Sequence, residues 1–343
     1  MIRVLHSVSN MDRGGIETML MNYYRHIDRE KVQFDFIVNK QKPGDYDDEI
    51  RRLGGHIYQS PGLNPLHYPA YLRFVQQTVA TDPRIRILHA HNEAMGLYAL
   101  KGAEKAGLQV RIAHAHNIWI VRDYKWPLKM FCKQLLPGAA THLWACGRDA
   151  GIYYFGKADW ERRGQIIPNA IEPETFRFSP AVRAEMRARY GLEDRVVLGH
   201  VGRFDVRKNH ERLLEIFAAF LQLEPRAMLV LIGTGRLEQA VRAQAQELGI
   251  TDHILFAGLQ SNVADWYQMM DLFVMPSRFE GLPVVGIEAQ AAGLGCVFSD
   301  AVPRRCCFLP MPSRSRFPPA MQTGQQACSG CSTSPATDLL VQN

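Results

Sequence analysis

Long hydrophobic runs, a secretory leader and a strong excess of one charge are all missing from this sequence of 343 residues. No uninterrupted apolar run approaches the roughly 20 residues that a transmembrane helix needs. The first ten residues read as a short strand rather than as a basic segment followed by a long apolar stretch, so we expect no secretory signal. The 40 Lys and Arg residues only slightly outnumber the 34 Asp and Glu residues, and this balance predicts no nucleic-acid partner.

Cysteine is thinly scattered over the first 303 residues, as Cys132, Cys146 and Cys296, which suits a reducing compartment. Hydrophobic residues make up 47% of the chain, a share that is ordinary for a globular protein and excludes wholesale disorder. At roughly 100–200 residues per domain, the length indicates about two domains. We therefore expect a cytoplasmic protein of two domains.

Strand-length apolar runs alternate with helix-length amphipathic segments along most of the chain. Buried parallel strands are predicted at 2–5, 34–38, 85–88, 110–113, 196–201, 228–232, 254–256 and 272–275. A Pro-rich stretch at 168–180 marks the join between two βα-alternating halves. The sequence thus predicts an α/β protein with two doubly wound, Rossmann-like domains that face a cleft, at 1–170 and 171–303. A ligand should lie in that cleft, beyond the carboxyl ends of the strands.

Two loops that follow predicted strands could hold phosphate. Gly14 and Gly15 separate the first strand from a helix, where small residues let the backbone approach a ligand and free N–H groups attract an anion. A plain tight turn is the alternative, because the three-glycine dinucleotide motif is absent. Arg203 and Lys208 bracket the loop after strand 196–201 and could grip a diphosphate, or they form a solvated basic loop.

Two glutamates mark a third candidate segment, after strand 272–275. Glu280 lies in the turn, and Pro283 suits the first position of the helix that follows. Glu288 falls more than one turn inside this otherwise apolar helix, where a carboxylate is costly to bury without a partner. Sugar hydroxyls would be such partners, and so would a neighbouring protein group.

The spacing of Glu280 and Glu288, with seven residues between them, resembles the Glu-x7-Glu signature of retaining glycosyltransferases of the two-Rossmann-domain (GT-B) type. Three further motifs occur in the same order as in glycosyltransferase family 4: Gly14-Gly15, Arg203 with Lys208, and Ile167-Pro168-Asn169-Ala170. The chain therefore resembles that family from residue 1 to about residue 303, and in particular its bacterial capsular and exopolysaccharide members.

The resemblance implies transfer of a sugar from a UDP- or GDP-sugar to a glycan or lipid-linked acceptor, with retained anomeric configuration and with no metal or other cofactor. It assigns catalytic roles to Glu280 at the donor sugar and to Arg203 and Lys208 at the departing diphosphate. The implied donor-binding residues are Gly14, Gly15, Gly281, Leu282, Pro283 and Glu288, the last at the ribose. Rival functions are a non-hydrolysing nucleotide-sugar epimerase and a catalytically inert homologue that only binds nucleotide sugar.

Two His-x-His pairs, His89 with His91 and His114 with His116, each follow a predicted strand and could line the cleft floor. The family often places an active-site histidine near the second pair, so His114 and His116 are both candidates, with His116 slightly ahead. Zinc is an alternative ligand. Because alternating strand residues point to opposite faces, we do not expect such a pair to chelate it. The Asp-Tyr-Asp sequence at 45–47 is expected to open a helix rather than to bind a metal.

A basic and aromatic segment at 123–136 carries Lys125, Lys129 and Lys133 at helical spacing. Such a helix can rest on an anionic bilayer, which would place the protein at the inner face of the cell membrane. An ordinary solvated lysine stripe is the alternative.

The last 40 residues, 304–343, depart from the rest of the sequence. They contain four Cys, five Pro and a single acidic residue, without a sustained helical or strand period. We expect a disordered tail whose abrupt start fits a frameshift or a truncation near residue 304. On this expectation the second domain is incomplete and this exact chain has little activity.

Overall fold

The computed structural model describes residues 1–120 and 123–302. The chain divides into two compact units, Met1–Ala170 and a second that begins at Ile171, and each is described by itself below. The sequence predicted as a tail, 304–343, lies outside the described residues. No helix in the described part of the chain combines the length and the apolar character needed to cross a bilayer.

The first unit is a seven-stranded sheet with the strand order β3-β2-β1-β4-β5-β6-β7, and all its neighbouring strands run parallel. Its strands are β1 Ile2–Val8, β2 Val32–Val38, β3 Ile57–Gln59, β4 Ile85–Ala90, β5 Val110–Ala115, β6 His142–Ala145 and β7 Gly164–Ile166. Its helices are α1 Gly15–His26, α2 Asp47–Arg52, α3 Tyr68–Thr81, α4 Leu97–Lys105, α5 Trp126–Ala139, α6 Arg148–Phe155 and α7 Lys157–Arg163. Strands β1, β4 and β5 are therefore neighbours, and their carboxyl ends meet at one edge.

The second unit is a five-stranded parallel sheet with the order β10-β9-β8-β11-β12. Its strands are β8 Val196–Val201, β9 Ala227–Ile232, β10 Ile254–Gly258, β11 Leu272–Met275 and β12 Gly295–Phe298. Its helices are α8 Pro173–Phe176, α9 Pro180–Tyr190, α10 His210–Leu223, α11 Glu238–Glu247, α12 Val263–Met269 and α13 Val284–Ala291. Strands β8 and β11 lie side by side at the centre of the sheet.

Strand β8 shows why this sheet needs helices on both faces. Val196 and Leu198 belong to one buried cluster with side chains of α10, whereas Val197 and Val201 belong to another with side chains of α12 and α13. Successive strand residues point to opposite faces, so a strand that is apolar at every position must be covered twice. The predicted fold class, two parallel-sheet α/β domains, is confirmed.

Helix α13, which follows the turn that carries Glu280, begins one residue later than predicted. Pro283 has an extended backbone, with φ −72° and ψ 105°, and occupies the N-cap of α13 rather than its first helical position. Glu288 is the fifth residue of this eight-residue helix and is buried, as its place in the apolar segment indicated.

Candidate active site

In the second unit, the loops that follow the two central strands carry the predicted charged residues. The loop 202–209 follows β8 and the loop 276–283 follows β11. Because β8 and β11 are adjacent and parallel, both loops leave the same edge of the sheet. This edge is where ligands bind in open α/β sheets.

Asn209 fastens the two loops to each other. Its backbone is left-handed, with φ 54°, a conformation that asparagine tolerates better than most residues. Its side-chain amide donates to the carbonyl of Pro276 at 3.1 Å, and its Oδ1 accepts from Nε of Arg278 at 3.0 Å. The backbone N–H of Arg278 donates to the carbonyl of Arg207 at 2.7 Å. These hydrogen bonds hold the two loops together.

Lys208 and Glu280 form an ion pair across these loops, with 2.7 Å between Nζ and Oε1 and with each side chain only 14% exposed. Lys208 is the only lysine among residues 171–343. A Cβ at Gly202 would lie 3.0 Å from Cε of Lys208, so the absence of a side chain there leaves room for the lysine. Arg203 is exposed, and within the described ranges its guanidinium has no hydrogen-bonding partner. One guanidinium is thus available to an anion.

Glu288 is buried, with 9% of its surface exposed, and its Oε2 lies 3.1 Å from Oη of Tyr267. The same Oη lies 3.1 Å from the carbonyl oxygen of Val285. The Tyr267 hydroxyl is the donor in both contacts, and its hydrogen bond to Glu288 favours the ionised carboxylate. Burial opposes ionisation more strongly and raises the pKa of Glu288 to about 7.

The protein group that pairs with Glu288 was not predicted from the sequence. Tyr267 lies on α12, 21 residues before Glu288, and no local spacing connects them. Of the remaining donor-loop candidates, Gly281 and Pro283 are buried, and Leu282 packs against the core cluster of α12 and α13. The neighbouring protein group that the sequence left open as the alternative partner of Glu288 is therefore present.

Two glycines after β9, which the sequence analysis missed, allow a third loop to approach the first. Gly233 has φ +132°, and a Cβ there would lie 2.2 Å from the carbonyl oxygen of Gly202. A Cβ at Gly235 would lie 2.4 Å from the carbonyl oxygen of Phe204. The Gly-x-Gly pattern directly after a strand was the available signal.

In the first unit, Gly14 is the N-cap of α1 and Gly15 is its first residue. A Cβ at Gly15 would meet nothing within 4 Å, so its backbone is open to a ligand. A carboxylate oxygen of Glu17 lies 2.3 Å from the position of a Cβ on Gly14. An anion bound at the N-terminus of α1 would therefore lie close to the carboxylate of Glu17.

Five histidines converge at the carboxyl ends of β1, β4 and β5. The expectation that a His-x-His pair points to opposite faces was wrong, since residues two apart in a strand share a face. The ring centroids of His89 and His91 are 4.0 Å apart, as are those of His114 and His116. His6 on β1 joins them, with its Nδ1 at 3.0 Å from Nε2 of His91.

The hydrogen bonds among these rings distinguish the two candidate histidines. Nδ1 of His114 is 3.1 Å from Nε2 of His89, and its other nitrogen is buried without a partner among the described residues. Nε2 of His116 is 2.9 Å from Nδ1 of His91, and His116 is only half-buried. His116 is thus the better placed of the two to meet a ligand.

Burial keeps these imidazoles neutral. It lowers the pKa of His6 and of His116 to about 3, and it lowers the pKa values of the other three well below the ordinary range. In two groups of three rings, His6-His89-His91 and His91-His114-His116, one nitrogen from each ring lies within 4.8 Å of the others. One nitrogen from each ring of such a group could bind a metal ion. The shortest nitrogen-to-nitrogen distances between the rings, 2.9 to 3.1 Å, are those of hydrogen bonds.

Comparison with known proteins identifies the family. The model of Glycosyltransferase Family 4 matches residues 13–175, and that of Glycosyl transferases group 1 matches residues 182–306. EpsF of Bacillus subtilis, which is named as a glycosyltransferase, is 37% identical over 305 residues, which cover 88% of this chain and 79% of that protein. The chain belongs to glycosyltransferase family 4. It is a transferase that uses nucleotide sugars.

Other relatives agree with this assignment. A GDP-mannose-dependent α-(1-6)-phosphatidylinositol monomannoside mannosyltransferase of Mycobacterium tuberculosis is 31% identical over 84% of this chain and 77% of its own length. The solved structure of HepE from Anabaena in complex with UDP-glucose matches with a TM-score of 0.75 and 18% identity, covering 99% of this chain and 92% of that one. The sucrose-phosphate synthase of Thermosynechococcus elongatus matches with a TM-score of 0.73 and 16% identity, over 96% and 90% of the two chains. These structural matches show the GT-B fold.

The three lysines of segment 123–136 in this family 4 glycosyltransferase do not form a solvated stripe, because each contacts another group of the first unit. Nζ of Lys125 donates to the carbonyl of Leu63 at 3.1 Å, and Lys129 pairs with Asp123 at 2.8 Å. Nζ of Lys133 lies 3.9 Å from the ring centroid of Tyr153, and burial lowers its pKa. The exposed face of the segment is instead apolar, through Tyr124 (87% exposed), Phe131 (59%) and Leu135 (45%).

Proposed function

We propose that this glycosyltransferase moves a sugar from a UDP- or GDP-sugar to a glycan or lipid-linked acceptor in surface polysaccharide biosynthesis, with the anomeric configuration retained. The observation that carries the proposal is the Lys208–Glu280 pair, in loops that also carry the exposed guanidinium of Arg203, at the carboxyl ends of two central strands. Together they offer cations for a diphosphate and a carboxylate for sugar hydroxyls. The likeness to EpsF and to a mannosyltransferase that acts on a lipid supports the choice of acceptor.

In the proposed reaction, the bond between the anomeric carbon and the phosphate oxygen breaks, and its electron pair stays on the departing diphosphate. An acceptor hydroxyl oxygen forms the new bond on the face that the diphosphate leaves, and its proton passes to the departing phosphate oxygen. Arg203 and Lys208 stabilise the negative charge that develops there, where preorganised cations have their largest effect. These side chains supply the stabilisation without a metal or other cofactor.

Donor binding would exchange the partners of the Lys208–Glu280 pair. Nζ of Lys208 would turn to the diphosphate, and the carboxylate of Glu280 would accept hydrogen bonds from the donor sugar. Both side chains are largely buried and therefore need a partner. The exchange would give each of them one before and after binding. The ion pair therefore keeps the site organised in the free enzyme.

Glu288 is proposed to bind the ribose of the donor. A ribose diol supplies two hydroxyl donors, which suit an ionised carboxylate. In the free protein this carboxyl is buried and its pKa is raised to about 7, so hydroxyl donors would lower that pKa again. The proposal thus makes ionisation of Glu288 part of donor recognition.

The acceptor side is proposed to work at the inner face of the cell membrane. Phe131 and Leu135 are four residues apart on α5 and point to the same exposed side, with Tyr124 before the helix. An apolar helix face of this kind can insert at the headgroup boundary of a bilayer. Such a location would bring a lipid-linked acceptor to the enzyme.

A panel of UDP- and GDP-sugars, measured by thermal shift, tests the donor class. We expect at least one nucleotide sugar to stabilise the wild type and not the Lys208→Ala variant, since the stabilisation that a ligand gives at a fixed concentration increases with its affinity. Arg212→Ala is the matched control, because it removes a cation from α10 of the same unit that is paired with Glu215 at 2.9 Å. Equal stabilisation of wild type and Lys208→Ala by every nucleotide sugar would contradict the proposed site.

A further inference from the structure

The five clustered histidines of the first unit form two separate hydrogen-bonded groups, and only one group reaches the open side. His6, His91 and His116 form a chain of three rings. His89 and His114 form a pair of their own. The proposed function assigns no step to these rings, which leaves their purpose unexplained.

Both links of the chain run in the same sense. Nδ1 of His6 faces Nε2 of His91 at 3.0 Å, and Nδ1 of His91 faces Nε2 of His116 at 2.9 Å. The links occupy four of the six ring nitrogens. The two that remain are Nε2 of His6 at one end and Nδ1 of His116 at the other.

The two ends of the chain differ in their surroundings. Nε2 of His6 is buried and has no partner within the described part of the molecule, and the ring lies against Phe34 and Phe36. His116 is half-buried, and its Nδ1 is not one of the sealed nitrogens. The chain therefore runs from a closed apolar end to an open end.

This geometry allows only two proton arrangements. Because the rings are neutral, each carries one N–H, and each link needs one donor and one acceptor. Either every ring is protonated on Nδ1, or every ring is protonated on Nε2. The second arrangement would leave an N–H of His6 facing the apolar end, and buried N–H groups without an acceptor are rarer than unused acceptors.

We propose that His91, backed by His6, is a positioning residue that holds His116 in the Nδ1–H tautomer, so that the open end of the chain offers a hydrogen-bond donor to a hydroxyl oxygen of a sugar ligand. The inference rests on the proposed function for the class of ligand, and it assigns His116 to the sugar and two further residues to the positioning of His116. A neutral donor of fixed orientation serves such a hydroxyl at any pH at which the rings stay neutral.

Long-range ¹H–¹⁵N correlation spectra of histidine-labelled protein test the tautomers without any ligand. We expect Nδ1–H on His6, His91 and His116 of the full-length wild type, with assignments taken from single-residue variants. Protonation of His116 on Nε2, or a mixture of its two tautomers, would overturn the proposal.

His91→Leu tests the positioning role, and His89→Leu is its matched control. Both residues are buried on the same face of β4 or directly after it, and both substitutions replace an imidazole by leucine; His89→Leu removes one ring-to-ring hydrogen bond and His91→Leu removes two. We expect His116 to become a mixture of tautomers only in His91→Leu, and His91→Asn to restore the Nδ1–H form because its amide can donate from near the Nδ1 position. The same mixture in both leucine variants would overturn a specific role for His91.

Kinetics with a donor from the nucleotide-sugar panel separate this inference from the proposed function. We expect His91→Leu to lower kcat/KM about tenfold, the scale of one hydrogen bond, and His89→Leu to leave it unchanged. Unchanged kcat/KM in His116→Ala would remove the proposed role of His116, whereas the ¹⁵N spectra would still decide whether His91 sets its tautomer.

Discussion

Glu288→Gln should remove a specific pH dependence from the stability of the second unit. Burial raises the pKa of Glu288 from 4.5 to about 7 in the folded protein. Between these values the folded state binds a proton that the unfolded state has lost, so the stabilisation is complete below pH 4.5 and is lost as the pH rises through 7. The difference, at about 1.4 kcal/mol per pH unit, corresponds to about 3 kcal/mol. Glutamine does not titrate, yet its amide oxygen can still accept a hydrogen bond from Tyr267.

The assay is unfolding by urea at several pH values, followed by pulsed hydrogen exchange and mass spectrometry on peptides of β8. Peptides are needed because a protein of two units need not unfold in a single transition. The buried histidines also titrate, but with lowered pKa values, and their contributions cancel in the difference between variant and wild type. We expect the stability of Glu288→Gln relative to wild type to rise by about 3 kcal/mol from pH 4.5 to 8.

Glu247→Gln provides the control for the substitution itself. Glu247 is exposed at the end of α11, so its replacement should leave the pH dependence of the wild type unchanged. A flat difference between Glu288→Gln and wild type over the same pH range would refute the reasoning. It would mean that Glu288 ionises in the folded protein at an ordinary pKa and that burial does not hold the proton on it.

Four further predictions concern activity, donor affinity, metal dependence and membrane contact. Lys208→Ala should lose about 2–4 kcal/mol of transition-state stabilisation in kcat/KM, and Arg212→Ala none, as measured by steady-state kinetics. Donor affinity of the wild type, measured by calorimetry, should rise as the pH increases through about 7 because the ribose needs ionised Glu288; affinity that falls over this range would contradict that role. Dialysis against EDTA should leave turnover unchanged, whereas loss of activity that Zn²⁺ restores would assign the histidine cluster to a metal. Phe131→Ser should reduce flotation with anionic vesicles, and Gln134→Ser, on an exposed neighbouring position of α5, should not.

The charged loops of the second unit were predictable because their signals are local. Arg203 and Lys208 lie in the loop after one strand, Glu280 lies in the loop after another, and parallel strands place such loops at one edge. The pairing of Lys208 with Glu280 required the strand order, since β8 and β11 are separated by two intervening strands in the chain. Sequence reasoning therefore gave the residues of this candidate site but not their contacts.

The histidine chain was missed for two physical reasons. The face that a His-x-His pair presents was assigned wrongly, although a period of two makes both rings neighbours. The third ring, His6, lies on β1, and only the sheet order places β1 beside β4. A lone histidine in a buried strand gives no sign of a partner 85 residues away.

The lysines of α5 show the opposite failure, in which a regular local pattern was a poor guide. Helical spacing placed Lys125, Lys129 and Lys133 on one side, but each finds a different partner within the first unit. Long side chains reach neighbouring elements that sequence spacing does not reveal. The exposed apolar residues of the same segment, Tyr124, Phe131 and Leu135, were visible in the sequence and carry the proposed membrane contact.

The two units divide the proposed chemistry by charge. The second unit supplies the fixed cations, through Arg203 and the only lysine of its half of the chain. The first unit supplies imidazoles that burial keeps neutral, with the pKa of His116 lowered to about 3. A cation in place of His116 would attract phosphate groups before and after reaction alike, and such uniform binding does not speed the chemical step. A neutral N–H can orient a sugar hydroxyl without that attraction, which gives a physical reason for burying two histidines in a row behind His116.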